Sequence, residues 1–359
     1  MYISKKRKRF DIVNFFPALL GIIAAILIIV IIALCMPKKI KSVSKSSLKA
    51  LPFDENCNFE IFDNGIAYIT DDRLYFLDDR NEIMWGFSGA SEDMKIYTCS
   101  EKMGLVLGKK LQVVSRSGDL IFSKEFEKNI SSVAMGDKLI AVSLSRSDDT
   151  IVLNSTGEEI DRIKSNSNCT NIRFGVFSTG SIWVITVENS GYSPKYTLST
   201  YKYDTEKTQT VTFEDDSQMM YDAVFDEKLC YIFGTQKIMV RDCDYTGSVN
   251  YDYNVNGYDV LATGSAKNTM HILLNNNGNL KAIGSKGINN LECDEKILYA
   301  SVANEHYYGF SNYFMYRFDP EKTSFVKYRF PVKIDGFVNG NGFAIILSDN
   351  TLYRYDIVD

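Results

Sequence analysis

The chain has 359 residues, with 45 acidic against 40 basic side chains and a formal charge of −5. Five of the basic residues are packed into Lys5–Arg9, so the rest of the chain is more acidic than the whole, which argues against a nucleic-acid footprint. Tyr and Phe number 22 each and Pro only 6; with no long helical periodicity, this is the composition of an all-β body.

Residues 1–11 read as a basic tail. From Ile12 to Pro37 no side chain is charged, and the stretch from Ala18 to Leu34 is almost wholly aliphatic. Roughly 20 such residues cross a ~30 Å hydrocarbon core as a helix that satisfies its own backbone, which predicts a single transmembrane helix over residues 12–36. A cleaved signal peptide is a weaker reading, because the run is too long for an h-region and no small-x-small site follows. A lipoprotein signal at Cys35 is weaker too, because bulky Leu34 precedes the cysteine. An uncleaved signal anchor fits best, with the lipid bilayer as its partner.

Basic residues flank both ends of the run: Lys5–Arg9 on one side, and Lys38, Lys39, Lys41, Lys45 and Lys49 on the other. The first cluster is dense and sits on a very short tail, whereas long domains translocate largely regardless of charge. The expectation is a single-pass protein of the cell membrane, with its N-terminus cytoplasmic and its body outside. Residues 37–46 read as a linker.

The body, residues 47–359, is a repeat. Tyr201–Thr208 (YKYDTEKT) and Tyr316–Thr323 (YRFDPEKT) are its clearest copies: a strand, a turn opened by Asp, and the start of another strand. Further copies place Gly in the turn at Gly118, Gly157, Gly247 and Gly287, supplying the φ > 0 that a tight hairpin needs. Leu74–Ile83 uses Asn81 there, and Leu352–Asp356 begins one more copy. Eight such strands recur about every 35–47 residues, each after another short apolar strand, and four short strands per ~40 residues is the propeller period. The prediction is an eight-bladed β-propeller, with seven blades as the alternative. The last copy lacks its outer strand, and Leu48–Phe53 is expected to supply it by pairing with Leu352–Asp356. Pro52 is tolerable on an outermost strand.

The segment Leu77–Trp85 (LDDRNEIMW), a strand, a polar turn and a strand ending in an aromatic residue, resembles the repeat of quinoprotein-like propellers. The whole layout looks like the membrane-anchored propeller proteins of low-GC Gram-positive bacteria. The resemblance implies a fold and not an activity. Members carrying the quinone cofactor use a Trp floor and vicinal cysteines; here only Trp85 and Trp183 occur and no two cysteines are adjacent, so no cofactor is expected. The sialidase Asp-box is missing as well.

Chemistry-bearing residues are sparse. The seven cysteines show no CxxC spacing, and the two histidines, His271 and His306, cannot make a three-histidine metal site. Both are expected at or near the start of inner strands. The loop Asn275–Asn279 has no carboxylate and reads as a turn. Three acidic pairs, Asp71–Asp72, Asp148–Asp149 and Asp215–Asp216, read as turn residues; two carboxylates meeting in the central funnel would instead suit glycoside hydrolysis. With a two-residue turn at Thr235–Gln236, Cys230 is expected opposite Arg241 and diagonal to Cys243, too far for a disulfide.

The expected function is a membrane-tethered extracytoplasmic binding or scaffold module acting without catalysis, cofactor or metal, on a protein or glycan partner. A carbohydrate-active enzyme with funnel carboxylates and an envelope-assembly scaffold are the alternatives. The hairpin tip Glu188–Lys195 is the longest insertion, and Tyr192, Ser193, Pro194 and Lys195 are its candidate contact residues.

Overall fold

The computed structural model describes residues 40–357 apart from 166–167, 178–179, 190–192, 204–206, 227–228, 243–249, 267–268, 285–286 and 321–323. The basic tail and the predicted span over 12–36 lie outside these residues. Among the described residues no helix is long and apolar enough to cross a membrane. The chain divides into two units, Met1–Lys41 and Ser42–Asp359, and the second is an eight-bladed β-propeller.

Every blade is an antiparallel sheet with four strands running in order from the inside outwards, and the sheet of blade 7 gains a fifth, outermost strand, Lys41–Ser42. Blade 1 comprises Asn58–Phe62, Gly65–Thr70, Arg73–Leu77 and Ile83–Phe87. Blade 2 begins at Lys95, blade 3 at Ile130, blade 4 at Cys169, blade 5 at Met220, blade 6 at Asp259 and blade 7 at Tyr299. Blade 8 takes Gly336–Asn339, Phe343–Ser348 and Thr351–Asp356 from the C-terminal end, and Leu48–Ala50 from the other. The tyrosine-led copies at 201 and 316 lie on third strands, Lys195–Tyr203 of blade 4 and Phe314–Phe318 of blade 7.

Alternation along each strand sends side chains to two different neighbours. In Phe343–Ser348, Phe343 and Ile345 pack towards blade 1 with Ile66, Tyr68 and Leu77, while Ala344 and Ile346 pack towards blade 7 with Tyr308 and Phe310. The buried core consequently falls into eight clusters, one at each blade interface. A blade alone would leave both faces of its sheet in water, so the ring stands only when it is closed.

Closure occurs where expected, over a shorter register. Leu48, Lys49 and Ala50 face Tyr355, Arg354 and Tyr353, and the Leu51 N–H donates to the Leu352 carbonyl at 2.9 Å. Pro52 ends the pairing, and Phe53 crosses to blade 1, stacking on Tyr68 at 4.5 Å and lying 5.4 Å from Phe59. Arg354 is nearly fully buried over the Phe343 ring at 3.9 Å. It donates to Asp356 (2.7 Å), the Asn64 carbonyl (2.9 Å) and the Asp78 carbonyl (3.2 Å), tying blade 8 to blade 1.

The turn chemistry is repeated between third and fourth strands. Asn81, Gly118 and Gly157 have φ of 65°, 90° and 87°. The Asp78 and Asn154 carboxyl and amide oxygens accept two backbone N–H groups each, and the Ser115 hydroxyl accepts one. Each of these turns is followed by a β-bulge. The pairing skips Met84 in blade 1, Ile121 in blade 2 and Ile160 in blade 3. The next residue reaches the neighbouring blade: Trp85 lies on Gly118 and donates from Nε1 to the Arg116 carbonyl at 2.9 Å, and Phe122 lies on Gly157. Asp161 takes the same place in blade 3 and accepts from the Tyr203 hydroxyl of blade 4 at 2.7 Å.

Candidate functional site

A cavity of about 890 Å³ opens on the inner wall of blades 3 to 5. Its wall comes from the innermost strands Ile130–Met135, Cys169–Phe177 and Met220–Phe225. These strands carry bulges at Ser131, Ile172 and Tyr221, which break the ladder and turn side chains towards the axis. Ile172 is 39% exposed. Arg173 of blade 4 pairs with Asp222 of blade 5 at 3.4 Å, and the Ser131 hydroxyl donates to the Ser143 carbonyl at 3.0 Å. Deeper, Phe177 stacks on Phe225 with ring centres 4.2 Å apart. Gly175 faces Trp183 across the strand pair, where any Cβ would strike the indole. The wall is therefore half apolar and half polar, with its charges already paired.

On the innermost strand of blade 1, burial pushes the Glu60 pKa up against a stabilising bond from the Ile61 N–H. Blade 1 and blade 5 stand on opposite sides of an eight-membered ring, so Glu60 and Asp222 do not form a neighbouring pair.

The sequence-predicted acidic pairs have structural duties. Asp71 and Asp72 form a left-handed hairpin turn, φ 51° and 55°, locked to Glu92. The Asp148 carbonyl receives the Asn171 amide. Asp215 is buried and accepts from the Ser217 N–H (2.7 Å) and from Lys237 (3.1 Å). Burial alone would raise its pKa, but the Ser217 bonds and the Lys237 ammonium hold it below the usual carboxylate range.

The histidines lie near and at the starts of Thr269–Asn276 and His306–Phe310. Both strands are second in their blades, one step out from the axis; the innermost strands of blades 3 to 6 are bulged, which apolar patterning does not pick out. His271 is buried and bonded to the Tyr307 hydroxyl, and His306 contacts the Asn304 carbonyl at 2.6 Å. Asn277 and Gly278, with φ of 51° and 94°, form the plain turn expected of the Asn-rich loop.

Of the predicted contact residues, Tyr192 lies outside the described residues. Ser193 and Pro194 are exposed, and Lys195 is engaged by Glu214 at 2.8 Å. Cys230 faces Arg241, as the two-residue turn requires, while Cys243 lies outside the described residues. A second cavity, about 660 Å³, lies by Glu292–Lys296. There Lys327, itself buried over the Phe314 ring, takes Asp294 and Glu295 at 2.9 and 3.0 Å. Among the described residues no group of three or more His, Cys, Asp or Glu could hold a metal ion. The innermost strands, and with them Arg173 and Asp222, were missed in the sequence because CTNIRFGVF and MYDAVF alternate poorly.

Eight antiparallel blades, the last completed by Leu48–Ala50, define the class: a β-propeller of the kind seen in BamB and other ring proteins. No family model matches the chain, and no curated protein matches its sequence. Among solved structures it is similar to BamB from Moraxella catarrhalis, with TM-score 0.56, 10% identity, and 86% of this chain and 99% of that one covered. It is similar to Sqt1 from Saccharomyces cerevisiae, with TM-score 0.57, 10% identity and coverage of 86% and 98%. It is also similar to the dihydro-heme d1 dehydrogenase NirN, with TM-score 0.55, 10% identity and coverage of 89% and 75%. At such identity the likeness shows the fold alone, and the fold carries both an enzyme and other proteins.

Proposed function

We propose that the chain is a membrane-tethered, extracytoplasmic propeller that works as a binding or scaffold module rather than by catalysis. The apolar run over 12–36 would hold it to the bilayer, and its partner would be a protein or a glycan. The observation that carries the binding role is the inner wall of blades 3 to 5. It offers a cavity of about 890 Å³ in which aromatic side chains are stacked and Arg173 and Asp222 neutralise each other. That is a recognition surface on a rigid ring.

Two experiments test this. Protease added to intact cells should digest the body and spare an epitope on residues 1–11; protection of the body until lysis would place it on the other side. Purified full chain incubated with soluble polysaccharides should release no reducing ends. Release that disappears in Glu60→Gln or Asp222→Asn would make the propeller a carbohydrate-active enzyme instead.

A further inference from the structure

The outer rim of blades 1 to 3 carries a feature that neither the inner wall nor ring closure uses. After each of the three equivalent turns, the chain places apolar side chains on the solvent side of the outermost strand. Ile83 and Met84 in blade 1, Leu120 and Ile121 in blade 2 and Ile160 in blade 3 are 42–58% exposed. Three of them, Met84, Ile121 and Ile160, are the bulge residues themselves. A bulge residue has no ladder partner, and its side chain is released from the sheet. A Ser or Lys would satisfy the backbone there equally well, so large aliphatic residues at all three successive positions are unexplained by folding. The three blades are joined beside these residues by Trp85 on Gly118 and Phe122 on Gly157, so the exposed side chains lie along one rim, and exposed apolar surface of this kind marks an interaction site.

The charge around the belt identifies what fits it. The turns beside it expose Asp79, Glu82, Asp119 and Glu158. The basic groups close by are mostly held internally: Arg116 by Asp63 at 2.5 Å, Lys124 by the Gly157 carbonyl at 2.8 Å, and Arg162 by Glu159 and Glu127. Among the described residues of these turns, Arg80 alone offsets the acids. An apolar stripe with an acidic border complements a segment bearing apolar side chains on one side and Lys or Arg along its edge. A second copy of this chain would bring acid onto acid, and an anionic lipid surface would be repelled in the same way. Strand addition is blocked, because the bulges interrupt the free edge.

We propose that the rim of blades 1 to 3 is a docking surface for a cationic amphipathic segment of another protein, seated across Met84, Ile121 and Ile160. This rests on the reading of the propeller as a binding module and names the surface and partner chemistry of that role.

The test uses the full chain in phosphatidylcholine nanodiscs and a labelled 14-residue Leu/Lys amphipathic peptide, with its Leu/Glu counterpart as control. The Leu/Lys peptide should bind, and the triple variant Met84→Ser, Ile121→Ser, Ile160→Ser should weaken it at least tenfold. Tyr251→Ser, equally exposed at 42% on the outer strand of blade 5, should leave it unchanged. Asp79→Asn with Glu82→Gln should weaken binding and flatten its salt dependence. All six positions are exposed, and melting within a degree of wild type confirms that each variant folds. Equal binding by wild type and triple variant overturns the rim and leaves the module reading standing; equal binding of the Leu/Glu peptide overturns the charge argument. In cells, a photocrosslinker at Ile121 should join a Lys/Arg-rich segment of a different protein, and adducts only to a second copy or to lipid would overturn the assignment.

Discussion

Phe53→Ala should loosen the whole ring, although residue 53 lies outside every strand. Phe53 is 9% exposed and forms the step between blade 8 and blade 1 through its stack on Tyr68 at 4.5 Å and its contact with Phe59 at 5.4 Å. Truncating a buried Phe costs about 3–5 kcal/mol, and a site at the edge of a cluster falls at the lower end, about 3 kcal/mol. For a body of this size each kcal/mol moves the melting temperature by roughly 2 °C, so the variant should melt roughly 5–8 °C lower. The effect should be cooperative, because the same strand carries Leu48 and Leu51 into the clusters on either side of blade 8. Removing residues 47–53 should therefore lower the melting temperature further than the point variant does. The assay is thermal unfolding of the full chain in detergent, followed by far-UV circular dichroism, with the 48%-exposed Tyr313→Ala as control. A shift in Phe53→Ala no larger than in Tyr313→Ala would refute closure by the N-terminal strand.

Gly118→Ala should cost about 2–3 kcal/mol in urea unfolding, because φ of 90° is strained for alanine and its Cβ would meet the Trp85 ring at 2.8 Å. Gly287→Ala, with φ of 90° and nothing within 4 Å of the added Cβ, should cost only the backbone part, about 1 kcal/mol; equal losses would show that the Trp85 contact adds nothing. Asp215 has a folded pKa held below its unfolded value, so the stability it contributes is present above about pH 4 and lost as pH falls through the folded pKa. The difference between wild type and Asp215→Asn in chemical denaturation should accordingly shrink below pH 4, and a difference that grew on acidification would contradict the assignment. Burial pushes the Cys293 thiol up to about 12, with the Asp294 charge adding to it. Its thiolate fraction at pH 8 is then roughly three orders of magnitude below that of a free cysteine. Iodoacetamide should label Cys293 rapidly only after unfolding, as read by peptide mass spectrometry.

Much of the ring was legible before any coordinates. The period, the αL positions at Asn81, Gly118 and Gly157, the register that sets Cys230 against Arg241 and the missing eighth outer strand all followed from local rules: side chains alternate every second residue, and tight turns need φ > 0. These rules act within a hairpin, so a few neighbouring residues suffice to read them. The innermost strands, the placement of His271 and His306 one strand further out, and the pairing of Arg173 with Asp222 required the tertiary structure. In blades 3 to 6 those strands are bulged, and what they face depends on blades some 50 residues away. The rim stands between these cases. The patterns Ile83-Met84-Trp85 and Leu120-Ile121-Phe122 were visible as apolar runs, but a run does not say which residue is buried. Only closure of the ring decides it, by seating Trp85 on Gly118 and Phe122 on Gly157 while the bulges leave Met84 and Ile121 in water.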